Sequence, residues 1–141
     1  MKVQDIMSSH LKTLGPDATL HDAHNLSREL GVRHIPVVDD DGNYIAVVTQ
    51  KALIAKVMGL VSHYDKNQLA EQEKAISIRD VYVPDCTTIQ AGQNLLDIAE
   101  YFLNFKHGCL PVVATDGKLQ GIVTSSDFVK LAIRLLQQQT E

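Results

Sequence analysis

The chain has 141 residues, a net charge of −4 and 45% hydrophobic residues with no tryptophan, which suits one compact domain with an aliphatic core. The acidic balance lacks the basic face that nucleic-acid phosphates require, and no apolar run reaches the about 20 residues of a membrane-spanning helix. The first five residues carry no apolar signal stretch, so a soluble cytoplasmic protein without nucleic-acid or membrane partners is expected.

In chain order, a short opening segment at 3–7 precedes a β-type piece at 12–14. Thr19-Leu20-His21-Asp22 then has the hydroxyl-x-x-acid spacing of a capping box. It predicts a helix with Leu20, Ala23, Ser27 and Leu30 on its core face and a stop at Gly31. Strands at 35–38 and 44–48 flank Asp40-Asp41-Gly42-Asn43, a hairpin signal. Pro36 falls at a strand start, where a missing N–H is tolerated. A helix over 51–61 follows, then a polar stretch at 62–77.

The same order then returns. There is an opening segment at 78–82, a β-type piece at 87–89 and a capped start at Asn94-Leu95-Leu96-Asp97. Leu95, Ile98, Phe102 and Phe105 recur at helical spacing. Strands at 110–114 and 119–123 flank Asp116-Gly117, a helix is expected at 127–136, and the tail at 137–141 is expected to fray.

Adding 75 to each number of 3–58 gives 78–133 without a gap. Asp5 falls on Asp80, Thr13 on Thr88, Pro36-Val37-Val38 on Pro111-Val112-Val113, and Val48-Thr49 on Val123-Thr124. The chain therefore reads as two copies of one β-α-β-β-α unit, an α/β (α+β) fold. The copies are 1–61 and 78–136, with 62–77 as linker. Two small units create a cleft, a common place for a ligand. The closing helices are apolar on more than one face, more than a monomer's surface helix needs, and this predicts a homodimer.

Cys86 and Cys109 have no metal or redox spacing and read as reduced, packed thiols. The six histidines do not form a metal-ligand pattern. Without a catalytic constellation, no enzymatic activity and no required cofactor are expected.

The chain resembles a tandem pair of CBS domains, the arrangement called a Bateman module. The likeness rests on Asp5-Ile6-Met7, Ile35-Pro36-Val37-Val38-Asp39, Gly42, Val47-Val48-Thr49 and their second-copy partners, ending in Gly121-Ile122-Val123-Thr124-Ser125-Ser126-Asp127. It implies two repeats related by a pseudo-two-fold axis, with clefts that take adenine nucleotides or adenosyl compounds. It also implies a sensing and regulatory role toward a partner that the sequence does not name.

By the same resemblance, Thr124, Ser126 and Asp127 form the polar end of the site, the carboxylate accepting from the ribose hydroxyls. Thr-x-x-Asp ahead of a helix is also a capping box. The first copy has Thr49-Gln50-Lys51-Ala52 instead, without the acid, so its cleft is expected to be weak or empty. Thr88, Ile89, Leu110 and Pro111 would border the base, and Gly121, opposite Ala46 of the first copy, would leave room for it. Arg33 and His34, just before the first Pro-Val strand, are the expected phosphate contacts.

Overall fold

The structure, a computed structural model, describes residues 1–82, 87–105 and 108–139. It is a mixed α+β fold with five α-helices and two small antiparallel sheets among those residues. The chain forms two compact units: residues 12–86, called unit A here, and residues 1–11 with 87–141, called unit B.

In unit A, helix α1 (Leu20–Leu30) starts where the capping box predicts. Thr19 N–H donates to Asp22 at 2.9 Å, and Asp22 N–H donates to the Thr19 hydroxyl at 3.2 Å. Gly31 closes it with φ +65°. Ser27 lies on the core face because its hydroxyl donates to the Val32 carbonyl at 3.1 Å. Strands β1 (His34–Val38) and β2 (Tyr44–Thr49) pair antiparallel, with Leu14 bridged in parallel to Val37 on the outer edge of β1. Helix α2 (Gln50–Val61) follows β2 directly. The core gathers Leu20, Ala23, Ile35, Val37, Val48 and Leu53 with Ile78 and Val81.

Unit B repeats the pattern with α4 (Leu95–Phe105), β3 (Cys109–Val113), β4 (Leu119–Thr124) and α5 (Ser125–Gln139). Gly42 and Gly117, each the glycine of an Asp-Gly pair, have φ +87° and +91°, values that L side chains rarely adopt. The core of this unit joins Ile89, Ile98, Leu110, Val112 and Val123 to Val3.

The last member of each core is informative. Ile78 and Val81 open the second repeat yet pack in unit A, and Val3 opens the first yet packs in unit B. The opening segments are exchanged between the repeats. Equivalent backbone bonds hold them: Leu20 N–H to Ile76 O at 2.9 Å and Leu95 N–H to Met1 O at 3.1 Å.

Leu30 and Phe105, expected on the core faces of their helices, are 48% and 64% exposed, and two larger features also differ from the sequence reading. The polar stretch at 62–77 contains a helix, α3 (Lys66–Ala75), started by a reciprocal Asp65–Gln68 capping box. It packs on α1 and α2, and its Glu73 is buried, with a carboxylate oxygen 2.6 Å from His24 Nδ1. The Asp-x-x-Gln spacing and the run of good helix formers were its available signals. The expected fraying tail is also helical through Gln139, because glutamine propagates a helix and no breaker intervenes.

Ile54, Met58 and Val61 on α2 are all at least half exposed, and so are Val129, Ile133 and Leu136 on α5. Adding 75 converts the first set into the second, so each repeat presents the same uncovered apolar stripe. No helix among the described residues is long and apolar enough to cross a membrane.

Candidate ligand-binding site

The site expected from sequence centres on the β4–α5 junction of unit B. Asp127 is only 6% exposed. Its Oδ2 accepts from Thr124 N–H at 2.8 Å and from the Thr124 hydroxyl at 3.3 Å. The Ser126 and Thr124 hydroxyls lie 2.8 Å apart. Asp127 therefore does take part in capping α5. At the equivalent junction of unit A, the Thr49 hydroxyl alone accepts from Ala52 N–H at 3.1 Å. The cap survives there without the acid, so starting the helix does not account for a carboxylate at 127.

The other oxygen of Asp127 has a partner that sequence reasoning missed. The Ser8 hydroxyl donates to Asp127 Oδ1 at 3.2 Å, across 119 residues of sequence. Ser8 is held in place by a two-bond bridge to β4: its N–H donates to Ile122 O at 2.9 Å, and Ile122 N–H donates to Ser8 O at 3.0 Å. Only the exchange of opening segments brings Ser8 here, and no local spacing signals that exchange.

Gly121 has a different role from the expected one. A Cβ added there would lie 2.8 Å from Ser8 O and 3.0 Å from the Met7 sulfur. The absent side chain admits the Met7–Ser8 backbone, so the space beside it is already filled by the protein.

On the opposite edge of β3, Ile89 is bridged in parallel to Val112. Ile89 N–H donates to Pro111 O at 2.9 Å, and Val113 N–H donates to Ile89 O at 2.8 Å. Thr124 pairs with Cys109 at the start of β3. Thr88, level with Pro111 in the middle of β3, and Thr124, at its start, thus lie on opposite edges of that strand and two residues apart in register. Ile89, Leu110 and Pro111 are buried, the first two in the unit's core cluster. Thr88 is exposed and lines an open depression of about 500 Å³ with Gln90, Gln93 and Thr115. Thr124, Ser126 and Asp127 do not line that depression.

In unit A, Arg33 is exposed and its carbonyl accepts from Gln50 N–H at 2.8 Å. His34 opens β1, where burial first and the Arg33 charge second lower its pKa. A histidine held neutral in this way makes a weaker phosphate contact than the sequence reading expected. Cys109 is buried at the start of β3. Cys86 and His107 lie outside the described residues.

The sequence matches the CBS domain over residues 3–59 and again over 78–134. The chain belongs to the CBS domain family. It is a tandem pair, as the 75-residue repeat indicated. The chain is 31% identical over 159 aligned positions to CBSX2, a chloroplastic CBS domain-containing protein of Arabidopsis thaliana, covering 99% of this chain and 66% of CBSX2. It is 30% identical to MJ1225 of Methanocaldococcus jannaschii, over 92% of this chain and 42% of MJ1225. It thus spans less than two thirds of either relative's length.

Among solved structures, a Vibrio cholerae protein ascribed to acetoin utilization (AcuB) superposes with TM-score 0.81 and 36% identity, over 99% of this chain and 96% of that one. CBSX2 solved in complex with AMP superposes with TM-score 0.79 and 29% identity, over 95% of this chain and 97% of that one.

Proposed function

We propose that this CBS pair is a regulatory module that binds an adenine nucleotide or adenosyl compound at the Asp127 site of unit B. One observation carries the reading. A buried carboxylate stands at the head of α5, beside two hydroxyls, where the equivalent helix start in unit A has Ala52 and needs no acid. An ionised carboxylate is an acceptor-only group, matched to the two vicinal donors of a ribose. A hydrogen bond to such a charged acceptor contributes about 1.5–3 kcal/mol.

Asp127 accepts from the ribose, Thr124 and Ser126 serve the phosphate side, and Thr88, Ile89, Leu110 and Pro111 border the base. CBSX2, at 29% identity, is a structure with AMP bound, which makes AMP the first ligand to test. In unit A, the exposed guanidinium of Arg33 keeps the ability to bind a phosphate. The role is non-catalytic and cytoplasmic. Ligand binding favours one shape of the module over another, and a partner protein reads the change.

The module acts as a homodimer. The stripes Ile54-Met58-Val61 and Val129-Ile133-Leu136 are uncovered in the monomer, and a second copy, carrying the same stripes, is the occupant that covers them across a two-fold axis. Calorimetric titration with AMP, ADP, ATP, S-adenosylmethionine and NAD, on the wild type and Asp127→Ala, tests the ligand reading.

A further inference from the structure

Asp127 is buried, and a protein group already donates to each of its oxygens. Thr124 occupies Oδ2 through its N–H and its hydroxyl, and Ser8 occupies Oδ1. The Thr124 N–H contact belongs to the start of α5 and is not replaceable by a ligand. The Ser8 contact is different. It is the longer of the two main contacts, 3.2 Å against 2.8 Å. It comes from an exposed residue, and its donor is a rotatable hydroxyl, the same group that a ribose presents.

Resting on the ribose-binding reading above, we infer that Ser8 is a built-in competitor of the ligand. Its hydroxyl satisfies Asp127 Oδ1 in the empty site and gives up that place when a ribose hydroxyl arrives. The exchange keeps the buried carboxylate paired in both states, since a buried unpaired acceptor is costly. It also couples ligand occupancy to the hold on the opening segment. Residues 1–11 pack in unit B and the chain passes into unit A at Lys12, so the loosened contact lies four residues before the covalent crossing. Coupling of this kind is reciprocal: whatever weakens the Ser8 contact strengthens ligand binding by the same factor.

The test is a titration of AMP, and in parallel of S-adenosylmethionine, against the wild type, Ser8→Ala, Ser8→Thr and Asp127→Ala, each with a melting curve without ligand. The inference predicts that Ser8→Ala lowers the melting temperature of the empty protein. It also predicts that Ser8→Ala binds the nucleotide about two- to ten-fold more tightly, the size of one net hydrogen bond. Ser8→Thr, which keeps a hydroxyl, returns to the wild-type affinity. A merely structural Ser8 would lower the melting temperature and leave affinity unchanged or weaker. That outcome, with binding still lost in Asp127→Ala, overturns the inference and leaves the site reading standing. If the wild type binds neither probe, or Asp127→Ala binds as well as the wild type, the site reading itself falls and this inference with it.

Discussion

The carbonyl oxygen of Ser8 stands 2.8 Å from the point that a Cβ on Gly121 would occupy. The neighbour is backbone, pinned by two hydrogen bonds to Ile122, so it cannot swing aside as a flexible side chain would. Gly121→Ala should therefore destabilise the protein by about 1–3 kcal/mol, the usual cost of overfilling a packed place. Urea unfolding measures it. A variant as stable as the wild type would show that the segment at 7–8 yields easily.

Glu73 is the buried anchor of α3, a helix with few apolar side chains to hold it. Its carboxylate is paired with His24 Nδ1. Glu73→Ala should cost about 1.5–3 kcal/mol, the range for hydrogen bonds to charged groups. It should also speed amide exchange across residues 66–75 more than across α1. Unchanged exchange in α3 would mean that other contacts hold the helix.

His34 gives a pH dependence with a definite sign. Burial and the Arg33 charge lower its pKa from 6.5, so on acidification the unfolded chain takes up the proton first. The stabilising contribution of neutral His34 is therefore complete above 6.5 and is lost as pH falls from there toward the lower folded value. His34→Gln should make stability fall less than in the wild type over that interval, as read by denaturant melts at stepped pH. Parallel curves for the two proteins would contradict this.

The uncovered stripes on α2 and α5 predict self-association. Light scattering at micromolar protein should show twice the 15.6 kDa chain mass, and Ile54→Glu with Val129→Glu should return the monomer, since an interface core does not tolerate unpaired charge. A wild-type monomer would remove the dimer from the account.

Much of the fold was legible because its signals are local. The Thr19–Asp22 box, the Asp-Gly turns and the apolar spacing of Leu95, Ile98 and Phe102 each act within a few residues, and each has a counterpart 75 positions away in the other copy. The α3 helix was legible too, through Asp65 and Gln68, but its polarity hid it. The exchange of opening segments was not legible, because Val3 and Ile78 are equally apolar wherever they pack. That single non-local fact governs what the site reading lacked: the Ser8 hydroxyl on Asp127, and the reason for glycine at 121. Asp127 was singled out by the resemblance to CBS domains, and the comparison of the copies weighed it against a cap, since the first copy starts its helix at Thr49 without an acid.

The most direct measurement is calorimetric titration of AMP against the wild type, Asp127→Ala and Lys51→Ala. The account predicts that the wild type and Lys51→Ala bind alike and that Asp127→Ala loses at least about ten-fold in affinity, the equivalent of one charged hydrogen bond. Equal AMP affinity in the wild type and Asp127→Ala, or a loss confined to Lys51→Ala, would contradict it.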